Sequence, residues 1–587
     1  MRSTFSGLNT MVRGVFANQL SLDTVGHNIT NASTEGYSRQ SVNQAATRAQ
    51  EVPSLYGNVL VGSGVDAMSL QRARNIYADK QYWAETSTHE YYKAEQVNYD
   101  KLEAIFDDSD DTGIKNAVDE FYKAWSSLSK DASADSTRVT VIEKGNIFVD
   151  KMSTAASQLQ EQITAQYDDI RVHLSTINDI NDQIVELNKN IMGAEAVGAS
   201  ANDLRDQRDL LVDKLSTYMN LNVYEDDKGM YTIVSNGISM VNGINKLTLE
   251  MSDPYANADY GLNDYTIQIK ESGIAFIPQN GALKAELDTI AEDKGYIDKL
   301  ADMAAFMMTT FNTMHQQGAG IDGTDGNIGP YQNNTSYTGP TYGINFFGDN
   351  NTVYTWDNTN HCVVATEYTD ASIQRSLDYT TAIVNGTTVY TPRVNISGTV
   401  NTTTNLKGIN ILNAMGINSK LTATGGTSLV AARKLSVEQK VSDTGAYEND
   451  YQVRADGTKD GTNAVNLSSL FNLASKNVTS TATVNYNGTA VDMNSRSIND
   501  ISLNAYYQSV MSQLGTDAAS VDTKESAQDD LITQIVNWRS STSGVDWNEE
   551  LTNMITFQKG YSACSRCLTT MDEMLDRLIN STGVVGR

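Results

Sequence analysis

The two ends of the chain carry apolar residues at steps that alternate between three and four positions. This is the spacing of a heptad seam, in which one stripe of a helix faces a partner. A lone helix with one apolar stripe is only marginally stable in water, so each end needs a partner, and the other end is the obvious candidate. The alternative is two ordinary amphipathic helices packed on a globular core. The predicted seam consists of Phe5, Leu8, Val12, Val15, Leu22 and Ile29 at the amino end, and of Met554, Phe557, Tyr561, Leu568, Met571, Leu575 and Leu578 at the carboxyl end.

The same alternation inside the chain predicts a long helix over about 140–192. Such a helix is a rod rather than an ordinary globular-domain helix. Two asparagines in its stripe weaken the packing but help to fix the register. The stripe consists of Ile163, Tyr167, Ile170, Leu174, Ile177, Asn181, Ile184, Asn188 and Ile191.

A second helix is predicted from Asn202, as its N-cap, to about Met219. Arg205 and Asp209 are spaced to form an ion pair one turn apart on its surface. Further helical patterns cover about 70–106, 113–130, 283–316 and 500–540.

The middle of the chain has a different pattern. Short alternating runs separated by turn residues occupy about 221–280 and 320–490, and Asn385-Gly386 is typical of a β-hairpin turn. Helix, strand and helix again predict an α+β multidomain fold, with β-rich domains inserted into a helical body. The predicted domains are a terminal coiled coil (1–60 and 545–587), a helical rod (61–325 and 455–544) with a small β module at about 221–280, and an inserted, variable β-rich outer domain (326–454).

Composition excludes several classes of function. The 587 residues include 43 Lys+Arg and 71 Asp+Glu, a net charge of −28, which argues against nucleic-acid binding and against docking on anionic membranes. No apolar run approaches the length of a membrane span, so we expect no membrane insertion. The first residues show no secretory signal. Six prolines are few and permit long unbroken helices, and three cysteines exclude a disulfide scaffold.

The candidate chemistry is sparse. Cys564-x-x-Cys567 lies in a helical pattern, so we expect packing residues, with thiol chemistry or metal binding as alternatives. His361-Cys362 would point to opposite faces of a strand and form no catalytic pair. The loops at 322–327 and 456–461 resemble calcium loops without the closing glutamate and are predicted to be plain turns. We therefore predict no enzyme activity, no catalytic or metal-ligating residue and no cofactor.

One stretch, His27 to Gln40, resembles the amino-terminal motif shared by the rod, hook and hook-associated proteins of the bacterial flagellum. Its Gly-Tyr-Ser-Arg-Gln ending is most similar to the hook-associated members. Three further stretches support this resemblance. Gly62 to Val65, before an arginine-bearing helical pattern, resembles the entry into the helical domain of the family. Ala201 to Leu211 is a segment that hook proteins lack, and Ser543 to Asn580 is similar to the shared carboxyl-terminal helix. The resemblance covers about 1–320 and 455–587. Its motif residues are Asn28, Asn31, Gly36, Tyr37, Arg39 and Gln40.

The resemblance implies a structural role at the junction of hook and filament, with self-assembly through the terminal helices after export. It also implies the partners: hook protein, a second junction protein, further copies of the chain, and an export chaperone at the carboxyl-terminal helix. The expected location is the secreted, extracellular flagellum. The alternatives are a hook or distal-rod protein, or a flagellum-borne enzyme or adhesin acting through the insert 326–454.

Overall fold

The structure is a computed structural model, and it describes residues 6–54, 57–107, 112–323, 339–441, 445–478, 482–491, 497–498 and 500–581. Within this part of the chain no helix is long and apolar enough to cross a membrane. The helices are α1 (Ser6–Asn31), α2 (Ile76–Ile105), α3 (Ile114–Lys130), α4 (Asp135–Ala196), α5 (Asn202–Tyr218), α6 (Ala282–Phe306), α7 (Asn312–Gln316), α8 (Ile409–Ala414), α9 (Ser419–Thr422), α10 (Thr462–Ser469), α11 (Leu503–Ser543) and α12 (Trp547–Ser581).

The strands form small antiparallel sheets, apart from one parallel pairing described below. They are β1 (Gln40–Ala46), β2 (Gln50–Ser54), β3 (Gly57–Val61), β4 (Val65–Arg72), β5 (Asn222–Glu225), β6 (Tyr231–Ser235), β7 (Ile238–Asn242), β8 (Asn245–Lys246), β9 (Leu249–Met251), β10 (Tyr255–Asn257), β11 (Leu262–Asp264), β12 (Ile267–Ile269), β13 (Gly318–Ala319), β14 (Thr352–Asp357), β15 (Cys362–Tyr368), β16 (Gln374–Val384), β17 (Thr387–Ser397), β18 (Val400–Leu406), β19 (Arg433–Val441), β20 (Tyr447–Ala455), β21 (Thr483–Tyr486) and β22 (Thr489–Ala490).

The two ends of the chain form a pair of helices. Helix α1 packs along α12, as the seam pattern led us to expect, and β1 and β4 pack against the same α1. We call α1 and α12 the terminal helix pair. Strand β1 pairs with β4 and β2 pairs with β3, so the chain after α1 forms two successive antiparallel pairs, and we call the described residues 40–54 and 57–72 the ribbon.

The helical rod is built around α4, which has 62 residues. At 1.5 Å per residue it is about 93 Å long. Helix α3 packs on its first part, α5 on its last part, and α6 lies between α4 and α2, while α11 runs along α2. Every residue of the predicted α4 stripe, from Ile163 to Ile191, is buried. The long-helix prediction is therefore confirmed, including the two buried asparagines.

Helix α6 passes into α7 through a turn of π-helix at Met307–Phe311, whose residues are all buried. This π-turn lies in an aromatic cluster. Phe121 is the centre of this cluster and is fully buried. Its ring has neighbours from α3, α4, the π-turn and the segment before β14, which fastens the rod to the β-rich part. The rings around it belong to Trp125, Phe148, Phe311, Phe346, Phe347 and Phe471.

Sheet pairing in the β-rich part extends beyond residue 454. In the sheet of order β16-β17-β21-β22, strand β17 pairs in parallel with β21 through Arg393–Ile396 and Thr483–Tyr486. Strand β21 thus follows the predicted end of the insert in sequence but shares a sheet with it. The division of the chain at 454 and 455 stays a prediction.

Candidate functional site

The contacts between α1 and α12 fix the register of the terminal helix pair. A Cβ atom on Gly7 would lie 2.5 Å from Cε of Met571, and one on Gly14 would lie 2.9 Å from Sγ of Cys564. The partner number falls as the α1 number rises, so the helices are antiparallel. Bulky side chains of α12 fit into holes that the glycines of α1 leave open.

The residues that α12, β1 and β4 together bury on α1 are mostly small or polar. Of all the residues of α1, those classed as buried are Gly14, Ala17, Ser21, Thr24, Val25 and Asn28. Gly7, Gly14, Ser21 and Asn28 follow one another at intervals of seven positions, which is heptad spacing. Small side chains allow the two backbones to approach closely, which an apolar pattern alone does not reveal.

The predicted seam of α1 lies beside this line and not on it. Leu8, Val12, Val15, Leu22 and Ile29 are half-buried. Several of them follow a contact residue by one position, which is about 100° of rotation around the helix. Phe5 lies outside the described residues. The expected pairing of the two ends is therefore present, its close contacts on α1 are at Gly7 and Gly14, and the assembly role of the predicted seam stays a prediction.

The predicted seam of α12 lies mostly on the less exposed side of that helix, where Met571 meets α1. Met554, Phe557, Leu568, Met571 and Leu575 are half-buried, and most residues between them are exposed. Two further members are more open, since Tyr561 is 37% exposed and Leu578 is 55% exposed. The assembly role of these residues stays a prediction.

The terminal helix pair leaves large apolar side chains in solvent. Phe16 is 66% exposed on α1, and Ile555 and Ile579 are 52% and 64% exposed on α12. Leu20, Leu551 and Met574 add to this apolar surface. Exposed apolar surface of this kind is typical of an interaction surface.

The motif residue Asn28 connects α1 to three other segments. Its Nδ2 donates to the Gln40 carbonyl at 2.8 Å and to Glu550 Oε2 at 3.0 Å. Its Oδ1 accepts from the Tyr37 hydroxyl at 2.8 Å and from the Gln40 N–H at 2.9 Å. Asn28 is fully buried, and all of its hydrogen-bonding capacity is used. An asparagine is therefore required where α1, the following loop and α12 meet.

The loop after α1 is shaped by the next motif residues. Asn31 Nδ2 donates to the His27 carbonyl at 3.0 Å and closes the end of the helix. Gly36 has a φ of +78°, and a Cβ atom there would lie 3.1 Å from Leu210 of α5. Both the backbone conformation and the close approach demand glycine. Burial of Tyr37, whose ring packs edge-on against His27, raises the pKa of its hydroxyl.

The last motif residues tie the loop to α5 and α12. Arg39 donates from Nε to Glu550 Oε1 at 2.8 Å and from Nη2 to Glu549 Oε1 at 2.7 Å. Gln40 donates from Nε2 to Asp203 Oδ1 at 2.7 Å and accepts at its Oε1 from Asn202 Nδ2 at 3.2 Å. The motif therefore fixes the start of α12 and the start of α5 at the same point.

Behind the motif lies a buried network of three arginines and four aspartates. Arg72 donates to Asp206 Oδ1 at 2.7 Å and to Asp209 Oδ2 at 2.8 Å. Arg74 pairs with Asp79 at 2.8 Å and with Asp209 at 3.2 Å. The network thus joins the end of the ribbon to α5 and to the first turn of α2.

Arg539 closes the network from α11. Its Nε lies 3.0 Å from Asp79 Oδ1, and its Nη2 donates to Asp213 Oδ2 at 2.8 Å. Ser38 N–H donates to Asp206 Oδ2 at 2.9 Å, which connects the network to the motif loop. We call the motif residues together with this network the joint, because they connect the terminal helix pair to α2, α5 and α11 of the rod.

The pKa values of the joint show how far its charges compensate one another. Burial alone would raise the pKa of Asp209, but Arg74 and Arg72 hold it below its ordinary value. At Asp206 and Asp213 burial outweighs the arginines, and the pKa of each carboxyl is raised. A buried ion network of this type contributes little net stability, but loss of one partner is strongly destabilising.

Sequence reasoning found the motif but missed most of the network. Arg72, Asp79, Asp213 and Arg539 carry no periodic or motif signal, because their partners are far away in the sequence. One predicted pair is wrong: Arg205 does not pair with Asp209 but donates to Glu195 and Glu225, at 2.7 Å and 2.5 Å. Asn202 is the first residue of α5 rather than its N-cap, since its side chain is used by Gln40.

The other candidate chemistry of the sequence is dispersed in the structure. Cys564 and Cys567 are free thiols on α12, and Cys362 is a buried free thiol on β15. His361 has a positive φ of 47° in the turn before it. Residues 324–327 of one predicted loop lie outside the described residues. Among those that are described, no group of three His, Cys, Asp or Glu residues is arranged to hold a metal ion.

Comparison with protein families gives two matches. Residues 99–328 match the flagellar hook-associated protein FlgK helical domain, which corresponds to most of the rod. Residues 539–581 match the flagellar basal body rod FlgEFG protein C-terminal region, which corresponds to the end of α11 and to α12.

Comparison with individual proteins covers the whole chain. The chain is 25% identical to flagellar hook-associated protein 1 of Bacillus subtilis, over 100% of both chains. It is 26% identical to flagellar hook-associated protein 1 of Escherichia coli, over 98% of this chain and 99% of the other. The fold is similar to that of the flagellar hook junction protein FlgK from Burkholderia pseudomallei, with a TM-score of 0.53 and 17% identity over 79% of this chain and 100% of that one.

Proposed function

We propose that this chain, which belongs to the family of flagellar hook-associated protein 1, is a structural component of the bacterial flagellum that joins the hook to the filament. Full-length similarity to proteins of that name supports this function. The architecture fits it, since the chain is a long helical rod with a helix pair at one end and β-rich domains on its side.

The observation that carries the proposal is the one-sided burial of α12. This helix has 35 residues, and among the described residues α1 is the element that packs along it, while much of its remaining surface is exposed, including Ile555 and Ile579. A helix pair covered on one side only is marginal in water. We infer that neighbouring subunits cover the open sides, so that the ends complete their folding as the chain assembles.

The joint gives this assembly a defined geometry. A helix pair that packs into a tube must transmit its position to the rod, which requires a connection that does not pivot. The joint supplies one, because Asn28, Arg39 and Gln40 reach α12, α5 and the ribbon with directional hydrogen bonds. Buried hydrogen-bonded networks specify one arrangement of their elements.

We propose as partners the hook protein, a second junction protein towards the filament, and further copies of the chain in a ring or helical assembly. An export chaperone at the carboxyl-terminal half of α12 fits the same view, because the apolar stripe there must be protected before assembly. The proposed location is the extracellular flagellum after export, and the proposed role is structural, without enzyme activity.

The alternatives have less support. A hook or distal-rod protein is not favoured, because the full-length relatives carry the hook-associated name and the rod matches the hook-associated helical domain. An enzyme or adhesin acting through 326–454 is not favoured either, because no feature of the described residues there supports a catalytic constellation.

The test of the function is deletion of the gene, followed by electron microscopy of the cells and an assay for flagellin in the medium. We expect hooks without filaments, and flagellin lost to the medium. Missing hooks would move the protein inward to the hook or rod, and normal motile filaments would contradict the structural role altogether.

Complementation of this deletion tests the helix pair. Leu568→Asp places a charge in the half-buried α12 stripe, and we expect no incorporation into flagella because the carboxylate would be buried against α1. Thr569→Asp is the matched control, since its side chain is exposed one position away. Incorporation of the Leu568 variant at the level of the Thr569 variant would show that the stripe is not an assembly surface.

A further inference from the structure

The dipeptide Asn-Gly occurs five times in the chain, and all five pairs lie within the described residues. A glycine places no side chain in the way of its own backbone nitrogen. When that nitrogen reaches the amide carbon of the preceding asparagine side chain, a succinimide ring forms and ammonia is released. The reaction in a folded chain therefore depends on what holds the asparagine side chain and the glycine N–H. The five asparagines are Asn236, Asn242, Asn280, Asn385 and Asn487.

Three of the pairs form the same turn. Asn236, Asn385 and Asn487 have φ values of 48°, 52° and 46°, and the glycines that follow them have values of 76°, 80° and 86°. Two successive residues with positive φ between paired strands are the central residues of a type I′ hairpin turn. Since the three turns share their sequence and their backbone conformation, a difference in reactivity has to come from their surroundings.

Hydrogen bonds hold the asparagine side chain in two of these three turns. Asn236 Nδ2 donates to the Ile277 carbonyl at 2.8 Å, and Asn487 Oδ1 accepts from the Gly398 N–H at 3.1 Å. The Asn385 side chain is exposed and has no hydrogen bond to any of the described residues. Its amide carbon is therefore free to turn towards the nitrogen of the next residue.

The two remaining asparagines are followed by glycines whose nitrogen is engaged. Asn280 Oδ1 accepts from the N–H of the following glycine at 3.0 Å, and Asn280 Nδ2 donates to Thr88 Oγ1 at 2.8 Å. The N–H of the glycine after Asn242 donates to the Tyr231 carbonyl at 3.2 Å. Among the five pairs, the one at Asn385 therefore combines an unheld side chain with an unheld glycine N–H within the described part of the chain.

The hairpin of β16 and β17 is also poorly supported near this turn. The two strands pair over eleven residues each, and residues 380–389 around the turn are all exposed. Two paired strands without a supporting layer are marginally stable, so the end of this hairpin opens readily. The other two turns are anchored more closely, since buried Ser235 and Asn485 lie within two residues of them. Opening gives the Asn385 side chain access to the conformations in which the ring closes.

We propose that Asn385 is a site of spontaneous deamidation in the folded chain. The Gly386 nitrogen gives its proton to hydroxide and forms a bond to Cγ of Asn385, the bond from Cγ to Nδ2 breaks, and ammonia leaves. Water then opens the ring at either of its two carbonyl groups. The products are aspartate and isoaspartate, and the net reaction converts an amide and water into a carboxylate and ammonium.

The modification changes the character of the hairpin end. The new carboxylate lies among apolar side chains that are 78%, 51% and 42% exposed, namely Ile383, Val384 and Val389. A charge on an exposed strand end opposes pairing with another chain. The isoaspartate form also lengthens the backbone of the turn by one methylene group. These effects are independent of the proposed structural role of the chain.

The test is peptide mapping of the purified full-length chain after storage in buffer at mildly alkaline pH. Trypsin cleaves after Arg375 and Arg393 and releases a peptide, 376–393, that contains Asn385 and no other asparagine. Mass spectrometry gives the fraction of each Asn-Gly pair that has gained the mass of an amide-to-acid conversion. We expect Asn385 to convert about tenfold faster than Asn236 and Asn487, because each of those is held by one hydrogen bond.

The same chain stored in urea is the matched control, since it keeps the sequence and loses the structure. All five pairs should then convert at similar rates. The variant Asn385→Gln should leave the peptide 376–393 unconverted in the folded chain, because the longer side chain closes a larger ring more slowly. Equal conversion of the three turns in the folded chain, or an intact Asn385, would overturn the inference. A ranking that persists in urea would also overturn it, because the sequence rather than the structure would then determine the rates.

Discussion

Replacement of Asp293 by asparagine should stabilise the rod at neutral pH. Asp293 is fully buried on α6, where it accepts from Asn98 Nδ2 of α2 at 3.0 Å and from Gln162 Nε2 of α4 at 2.9 Å. Burial raises the pKa of this carboxyl from 3.8 to about 6 in spite of these donors. No cation within ion-pair distance of Asp293 is present among the described residues.

The raised pKa fixes the sign of the effect. The folded chain holds the proton more tightly than the unfolded chain, so this contribution to stability is complete below about pH 4 and is lost as the pH rises through about 6. A shift of about two pH units corresponds to about 3 kcal/mol. Asparagine removes the charge but sacrifices about one hydrogen bond, worth about 1 kcal/mol. The free energy of unfolding of the variant should therefore be about 2 kcal/mol higher at neutral pH. At low pH the variant should lose at most the contribution of that hydrogen bond.

Urea unfolding of the full chain at about pH 4.5 and about pH 7.5 measures this difference. The fluorescence of buried Trp83 and Trp125 reports on the rod. Asp179→Asn, an exposed carboxyl on α4, is the control and should leave the pH dependence unchanged. A destabilisation by Asp293→Asn that is equal at both pH values would refute the reasoning, because it would mean that the carboxylate is not strained by burial.

Two further predictions concern the ends of the chain. Gly14→Leu should prevent incorporation into flagella, because its side chain would occupy the space of Cys564. Gly26→Leu, on the same helix with nothing within 4 Å of the added Cβ atom, should be incorporated. A normal level of the Gly14 variant in purified flagella would contradict the register of the terminal helix pair. Asn28→Ala should cost about 3–5 kcal/mol at the joint, because buried partners lose their hydrogen bonds. It should reduce the number of filaments far more than Asn31→Ala, whose side chain is less buried. Equal filament counts by electron microscopy would be evidence against the joint.

The sequence predicted the rod well, because its signal is periodic and local. Each residue of the α4 stripe is buried as expected, and the helix extends to Asp135–Ala196 instead of about 140–192. The α+β architecture was also predictable, since hairpin turns such as Asn385-Gly386 have a strong local signal, and both residues have positive φ in the structure. The parallel pairing of β17 with β21 was not predictable, because it joins segments far apart in the chain.

The terminal helices show where an apolar pattern misleads. Helix α1 contacts α12 at Gly7 and Gly14, which carry no hydrophobic signal, and the predicted residues Leu8 and Val15 lie one position further, about 100° around the helix. The reason is physical: bulky residues of α12 supply the apolar volume, and α1 supplies the space. The joint was only half visible, since Asn28 and Arg39 belong to a motif, whereas Arg539 is identified only by its contacts in the structure.

The small residues of α1 at the contact with α12 matter for the proposed assembly. Because the contact with α12 uses small residues, the larger side chains Leu8, Val12 and Val15 stay half-buried at its edge. A helix pair of this kind holds together through close backbone approach and still presents apolar edges to its neighbours. The polar joint behaves differently, since directional hydrogen bonds to Asn28 permit one orientation of the pair on the rod. In the proposed assembly, the apolar edges would therefore supply the driving force for packing, and the joint would determine the angle at which each rod leaves the packed ends.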